Sequence, residues 1–304
     1  MDGFLSSDQL QCIDRWIHKN AREVEVAKWN FLTKNGSKEG IITEVLKYQN
    51  LDGGFGNGYE ADILSPLSAA IPSTEAIFNA YDFDLDCTAN WFKRLLNYFE
   101  DTLQTTPSFW EAIPKGFDEY PHAPWWNYTL DTKFSPNPCA VVASALIKYG
   151  TPKQKEIGDK IAKKCIEFMN GNDFCGDHDC FNLQRLFQIL QYINSPLINQ
   201  ISIDSMKRRI LDNVCFDENK WMEYVPQPLD IIDDQDSQWY DLVSKGIDKN
   251  FNFWIENLND DGVWIPNFSW GIDSDISRTV TKNWIGYIAV KRVGILKNFN
   301  RILF

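Results

Sequence analysis

Three groups of side chains in this sequence have residue types and spacings suited to chemistry. Glu60 and Asp62 follow the turn Asp52-Gly53-Gly54-Phe55-Gly56, and a carboxyl group placed there could act as a general acid or orient a polar head group. The same two residues also suit a loop that bonds its own backbone amides. The run Asp173, Cys175, Asp177, His178, Asp179 and Cys180 combines carboxylate, thiol and imidazole, the donor types of a metal site. Helix capping by Asp177 or Asp179 accounts for that run without a metal. His122, Trp125, Trp126 and Tyr128 crowd one loop, and tandem tryptophans cost solubility unless they pack or bind something. Their π-faces could line a cavity for a cationic or apolar ligand, or could cover the end of a helical array; Trp270 and Trp284 are read the same way.

The elements that must position these groups are helical. Ser7 can cap a helix through Leu10, Ile13 and Ile17, and Ser37 precedes Ile41, Ile42, Val45 and Leu46 at helical spacing. Further starts are expected at Ser73 and at Asn137, where Pro138 takes a first-turn position. The segment KEIGDKIAKKCIEFM places Ile157, Ile161, Cys165, Ile166 and Met169 on one stripe, so one face meets water. PCAVVASALIKYG and DCFNLQRLFQILQYI are apolar over more of their circumference and call for burial on several sides. Outer amphipathic helices alternating with inner buried ones describe a double-layered helical barrel or a solenoid.

Composition bounds the partners. The 304 residues carry 30 Lys plus Arg against 42 Asp plus Glu, a formal charge of -12, which repels phosphate backbones and anionic bilayers, so nucleic acid is not an expected partner. The opening MDGFLSSDQL has neither a basic nor an apolar run, and no window approaches the roughly 20 apolar residues of a membrane span; a cytoplasmic protein is expected. Seven scattered cysteines in apolar surroundings read as reduced thiols. No linker-like stretch interrupts the chain, so residues 1–304 are expected to form a single domain.

The loops repeat. Gln49-Asn50-Leu51-Asp52-Gly53-Gly54-Phe55-Gly56 follows one helix and Leu258-Asn259-Asp260-Asp261-Gly262-Val263-Trp264 another, so Gly53 aligns with Gly262 and Phe55 with Trp264. In each, glycine supplies a positive φ, Asp bonds neighbouring amides and the aromatic plugs the turn. Asp212-Asn213-Val214-Cys215-Phe216-Asp217, leading to Trp221, is a candidate third copy.

Gln49, Gly53 and Phe55 resemble the Gln-x3-Gly-x-Trp repeat of squalene-hopene cyclases, and DGGFG resembles the form common in protein prenyltransferase β subunits. Together with Glu60, Asp62, the His122-Ala-Pro-Trp-Trp126 stretch and Asn137-Pro138, the chain resembles stand-alone bacterial prenyltransferase-like proteins of the prenyltransferase/squalene-cyclase repeat superfamily. The resemblance implies an all-α fold, an α/α toroid of six inner and six outer helices around an apolar cavity. It implies a terpene cyclase-like or prenyltransferase-like enzyme acting on an isoprenoid or other apolar substrate. Glu60, Asp62 and His178 are then the candidate catalytic groups. Phe55, His122, Trp125, Trp126, Tyr128, Trp270 and Trp284 are the candidate substrate-binding side chains.

Two departures bear on mechanism. The Asp-x-Asp-Asp motif of protonating cyclases is missing; the nearest runs are Asp82–Asp86, Asp233–Asp236 and Asp273–Asp275. The zinc-binding Asp-x-Cys pair of prenyltransferases is matched by Asp173 and Cys175, but His178 lies too near to reproduce the family's third ligand, so no resident cofactor is expected and zinc on these three is the alternative. A non-catalytic toroid that binds an apolar ligand or a partner protein stays open, as does a carbohydrate-active toroid using paired carboxylates.

Overall fold

In the computed structural model, residues 3–34, 36–105, 108–129, 133–171 and 173–303 are described. In chain order the helices are α1 (Ser7–Asn20), α2 (Glu23–Thr33), α3 (Lys38–Val45), α4 (Ala70–Asp82), α5 (Asn90–Thr102) and α6 (Pro136–Tyr149). They continue with α7 (Pro152–Asn170), α8 (Asp177–Tyr192), α9 (Gln200–Asn213), α10 (Pro228–Ile231), α11 (Tyr240–Glu256) and α12 (Asp275–Asn298). A short antiparallel ribbon, β1 (Gln104–Thr105) with β2 (Ser108–Phe109), is the single sheet among the described residues. With 61% helix against 3% strand, the fold class is all-α.

The helix starts follow local chemistry, with three shifts from the sequence reading. α1 is capped by Ser6, one residue before Ser7, because the Ser6 hydroxyl accepts from the Gln9 amide while the Gln9 side chain accepts from the Ser6 amide. Ser37 caps α3 as expected, its hydroxyl accepting from the Gly40 amide at 3.1 Å. Ser73 lies inside α4, which begins at Ala70; its hydroxyl accepts from the Phe55 amide and so ties a loop to the helix. α6 starts at Pro136 under a Ser135 cap, with Asn137 non-helical and the Asn137-Pro138 bond cis.

The helices group into two compact units, one of residues 45–210 and one of residues 1–44 with 211–304. Within the first, α6 is the inner element: every residue from Pro138 to Ile147 is buried, and it packs against α4, α7 and α8. α7 buries Ile161, Ala162, Cys165, Ile166 and Met169 and turns its lysines outward, as its amphipathic spacing predicts. Gly158 permits the close approach of α7 to α6, since a Cβ there would sit 3.0 Å from the Ala143 carbonyl oxygen.

In the second unit α12 packs against α1 and α2, and α10 against α11. Its chain ends are joined by backbone: the Leu5 amide donates to Arg301 O at 2.8 Å and the Leu303 amide to Leu5 O at 2.9 Å. Glu25, fully buried on α2, is held by a two-pronged contact with Arg22, at 2.7 and 2.8 Å, which supplies the pairing a buried carboxylate needs.

The predicted repeat is a structural repeat. In the 45–210 unit the Asn50 amide donates to Gly54 O at 2.8 Å and the Gly53 amide to Asn50 O at 3.1 Å. In the other unit the Asn259 amide donates to Val263 O at 3.0 Å and the Gly262 amide to Asn259 O at 2.8 Å, the same two bonds at the aligned positions. Gly53 has φ 93° and Gly262 φ 77°, a region closed to most side chains. Each corner is pressed onto a neighbouring helix. A Cβ on Gly53 would overlap the Arg94 carbonyl of α5, and one on Gly262 would lie 2.8 Å from Cys12 Cβ on α1. The Gln49 side-chain amide donates to Gly53 O and to Trp91 O, fastening the first corner to α5. The candidate third copy does not form this pair of bonds; there Trp221 instead donates through its indole to Cys215 O at 2.8 Å.

Gly53→Ala is expected to lose about 2 kcal/mol or more of stability, since both φ and the carbonyl contact oppose a methyl. Gly116→Ala is the control: φ is 96° but nothing lies within 4 Å, so only the backbone strain is felt. Urea denaturation of the two variants should therefore rank Gly53→Ala as the more damaging.

Candidate functional site

The loop that carries Glu60 and Asp62 is built against the loop that carries His122. The Leu64 amide donates to Pro121 O at 3.0 Å and the Ala123 amide to Asp62 O at 2.9 Å, which pairs Ile63 with His122 as an antiparallel bridge. The Asn57 amide donates to Ser65 O at 2.7 Å and the Ala69 amide to Phe55 O at 3.2 Å, closing the acidic loop at its base. Both carboxylates end up inside, Glu60 at 7% and Asp62 at 2% exposure. Such burial is unusual for acids and requires polar partners around them.

His122 lies under this bridge. One ring nitrogen is 2.6 Å from Tyr120 O, the other 3.0 Å from Asn127 Oδ1 and 3.6 Å from an Asp118 carboxylate oxygen. The imidazole is thereby fixed between oxygen acceptors on both sides. Asp118 also accepts from the Tyr128 amide at 2.8 Å, drawing Tyr128 into the same loop.

The aromatic cluster divides. Trp126 packs against the core group Ile63, Ala69, Ile71, Ile113 and Phe117, so it shares its packing with the residue between the acidic loop and His122. Its indole nitrogen is shielded from solvent and has no hydrogen-bond partner among the described residues. Trp125, the preceding residue, is about half exposed at 48%. Phe55 is fully buried beneath the corner, its ring 5.2 Å from that of Tyr59, which in turn lies 5.0 Å from Tyr48. The Tyr59 hydroxyl accepts from the Asn79 side chain of α4 at 2.8 Å, anchoring the aromatic stack to the helix.

The remaining predicted site residues lie elsewhere. Trp270 and Trp284 belong to the other unit; Trp284 meets Phe268 and Tyr287 edge-on at 5.2 and 5.3 Å, and its indole nitrogen is buried without a partner among the described residues. His178 is exposed on the first turn of α8.

Helix capping describes the Asp173–Cys180 run. The Asp179 carboxylate accepts from the Gly176 amide at 3.2 Å, from the Asn137 amide at 3.0 Å and from the Ser135 hydroxyl at 2.5 Å. It thus caps α8 and holds the start of α6 at once. Cys175 is buried while Asp173 is exposed, and among the described residues no three His, Cys, Asp or Glu side chains converge as a metal-holding group. All seven cysteines are free, five of them buried. Burial raises the thiols of Cys139 and Cys180 to about 12, which keeps them protonated and unreactive at neutral pH.

Two functional-looking arginines escaped the sequence reading. Arg209 of α9 is buried and donates to Met169 O, Gly171 O and Asp173 O at 2.9 to 3.1 Å, satisfying carbonyls at and beyond the end of α7. Arg292 of α12 lies over Trp254 at 4.7 Å and Trp264 at 5.4 Å, and burial lowers its guanidinium to about 10, still cationic at neutral pH. An arginine within the apolar turns of α12 was the available signal, but the ring it meets comes from a distant corner.

No protein-family model, curated protein or solved structure matches this chain. Among the described residues no helix is long and apolar enough to cross a membrane.

Asp179→Ala leaves two amides and a hydroxyl without their shared acceptor. A loss of about 2–4 kcal/mol is expected, and Asp179→Asn should recover part of it. Chemical denaturation of both variants beside the parent chain gives the comparison.

Proposed function

We propose that the chain is a terpene cyclase-like or prenyltransferase-like enzyme that acts on an isoprenoid or other apolar substrate, with Glu60 and Asp62 as its proton-handling groups. The observation that carries this reading is the burial of both carboxylates on one loop, whose backbone pairs with the His122 segment and whose Ile63 packs in the cluster that Trp126 joins. Transfer of a proton to or from an apolar molecule asks for a carboxyl group withheld from bulk water, beside aromatic faces that tolerate positive charge. The glycine corner, present once in each unit, supports an arrangement of the helices as an α/α toroid. In this reading His122 is a positioning residue, since its backbone pairs with the acidic loop and its ring is fixed by Tyr120 and Asn127. His178, exposed on α8, is the third candidate for proton transfer and the one with the least structural support.

A second reading is favoured by a separate observation. Two cavities among the described residues, of about 230 and 190 Å³, are lined by residues other than Glu60 and Asp62, and typical ligand sites run from roughly 300 to 1,000 Å³. A chain that holds an apolar ligand or partner without converting it would fit that. Native mass spectrometry of the purified protein distinguishes the two, because an enzyme incubated with squalene or farnesyl diphosphate releases a product of altered mass or retention, whereas a binding protein returns the compound unchanged.

With an active preparation, Glu60→Gln and Asp62→Asn are each expected to lower turnover by about 10²-fold or more in protein that melting curves show to be folded, and His178→Ala by far less. Full turnover in both carboxamide variants would remove these acids from the mechanism.

A further inference from the structure

A concave site lies within the 45–210 unit, away from any role given above. It is a cavity of about 190 Å³ between the ends of α4, α6 and α8, lined by Tyr81, Asp84, Lys148, Tyr149, Arg185 and Tyr192 among others. The Lys148 ammonium lies over three tyrosine rings that line the cavity, 5.0 Å from the centroid of Tyr149, 5.4 Å from Tyr192 and 5.9 Å from Tyr81. Tyr192 is three-quarters exposed and forms the rim, whereas Tyr81 is held inside by a 3.1 Å hydrogen bond to Ser144.

The charges of the pocket do not close on Lys148. Arg185 is paired with Asp82 and also lies over Phe78. Lys148 makes no ion pair among the described residues, and its contacts there are with ring faces and phenols. Cys87 could have supplied a thiolate beside Tyr149, but burial pushes its thiol up to about 11, and burial raises Tyr81 and Tyr149 as well. Each is therefore neutral at physiological pH and offers no counter-charge. Asp84 lines the same cavity and adds one negative charge to it, which opposes the entry of a dianion. A cation over aromatic faces, in a pocket of this size, suits one anionic oxygen pair attached to a small flat or apolar body.

We propose that the Lys148–tyrosine pocket binds a small monocarboxylate, its carboxylate on the Lys148 ammonium and its apolar body against the tyrosine rings. This site is independent of the Glu60–Asp62 reading and stands if that reading fails.

The test is isothermal titration calorimetry of the full chain with sodium benzoate, set beside benzyl alcohol, its neutral counterpart, and inorganic phosphate. Benzoate is expected to bind one to one, with benzyl alcohol and phosphate at least about tenfold weaker, the range of one charge-assisted contact. Lys148→Met should weaken benzoate by at least about tenfold while leaving the melting temperature of the free protein unchanged, and Lys148→Arg should restore most of the affinity. Should Lys148→Met fail to fold, Lys148→Gln and the benzyl alcohol comparison carry the same question. Absence of saturable benzoate binding, equal affinity for benzyl alcohol, or full affinity in Lys148→Met would each overturn the proposal. Tighter binding of phosphate than of benzoate would overturn the carboxylate assignment.

Discussion

The close approach of a positive-φ glycine to a neighbouring helix is the constraint on which the rest of the structure turns. At Gly53 the backbone touches α5 where a side chain would stand, and at Gly262 the corresponding backbone touches α1. Only an achiral residue permits both the dihedral angle and the contact. The consequence is positional. Because the corner is fixed, the aromatic two residues later is driven inward, so Phe55 and Trp264 are both almost wholly buried. The acidic loop is the stretch of chain that joins the first corner to α4.

Helices arranged this way present a recurring problem, the unpaired amides and carbonyls at their ends. The protein meets it with long polar side chains reaching across from other elements. Gln49 serves a corner and α5 together, Asp179 serves α6 and α8, and Arg209 serves carbonyls from α7 onward. In the other unit Gln227 accepts from Asn250 and from the Trp254 indole while donating to Trp221 O. These residues look like catalytic or ligand-binding candidates because they are polar and buried. Each of these side chains ties two or more elements together through the hydrogen bonds named, which marks a structural role.

Glu60 and Asp62 differ in kind. They are buried on a loop, not at a helix end, and the backbone bonds of that loop are made by amides and carbonyls running to residues 121–123. Lys148 differs likewise, a cation over three rings with no acid paired to it among the described residues. In both places ionisable groups lie apart from the helix-end contacts, on a buried loop in one case and over aromatic rings in the other.

The helical class, the buried α6, the amphipathic α7 and the glycine corners were legible in the sequence because each is a local property: a period of apolar residues, or a residue whose backbone freedom is needed in place. Helix capping by Asp177 or Asp179 was legible for the same reason, since capping acts over three residues, whereas the hold of Asp179 on Ser135 and Asn137 was not. Tertiary structure decided the rest. It placed His122 beside Asp62 across some sixty residues, sent Trp126 into the core and its neighbour Trp125 to solvent, moved Ser73 from a helix start to a hydrogen bond with Phe55, and set Lys148 against tyrosines from two other helices. Those outcomes depend on which surfaces meet after the helices pack, and no spacing along a single segment encodes a contact between segments far apart in the chain.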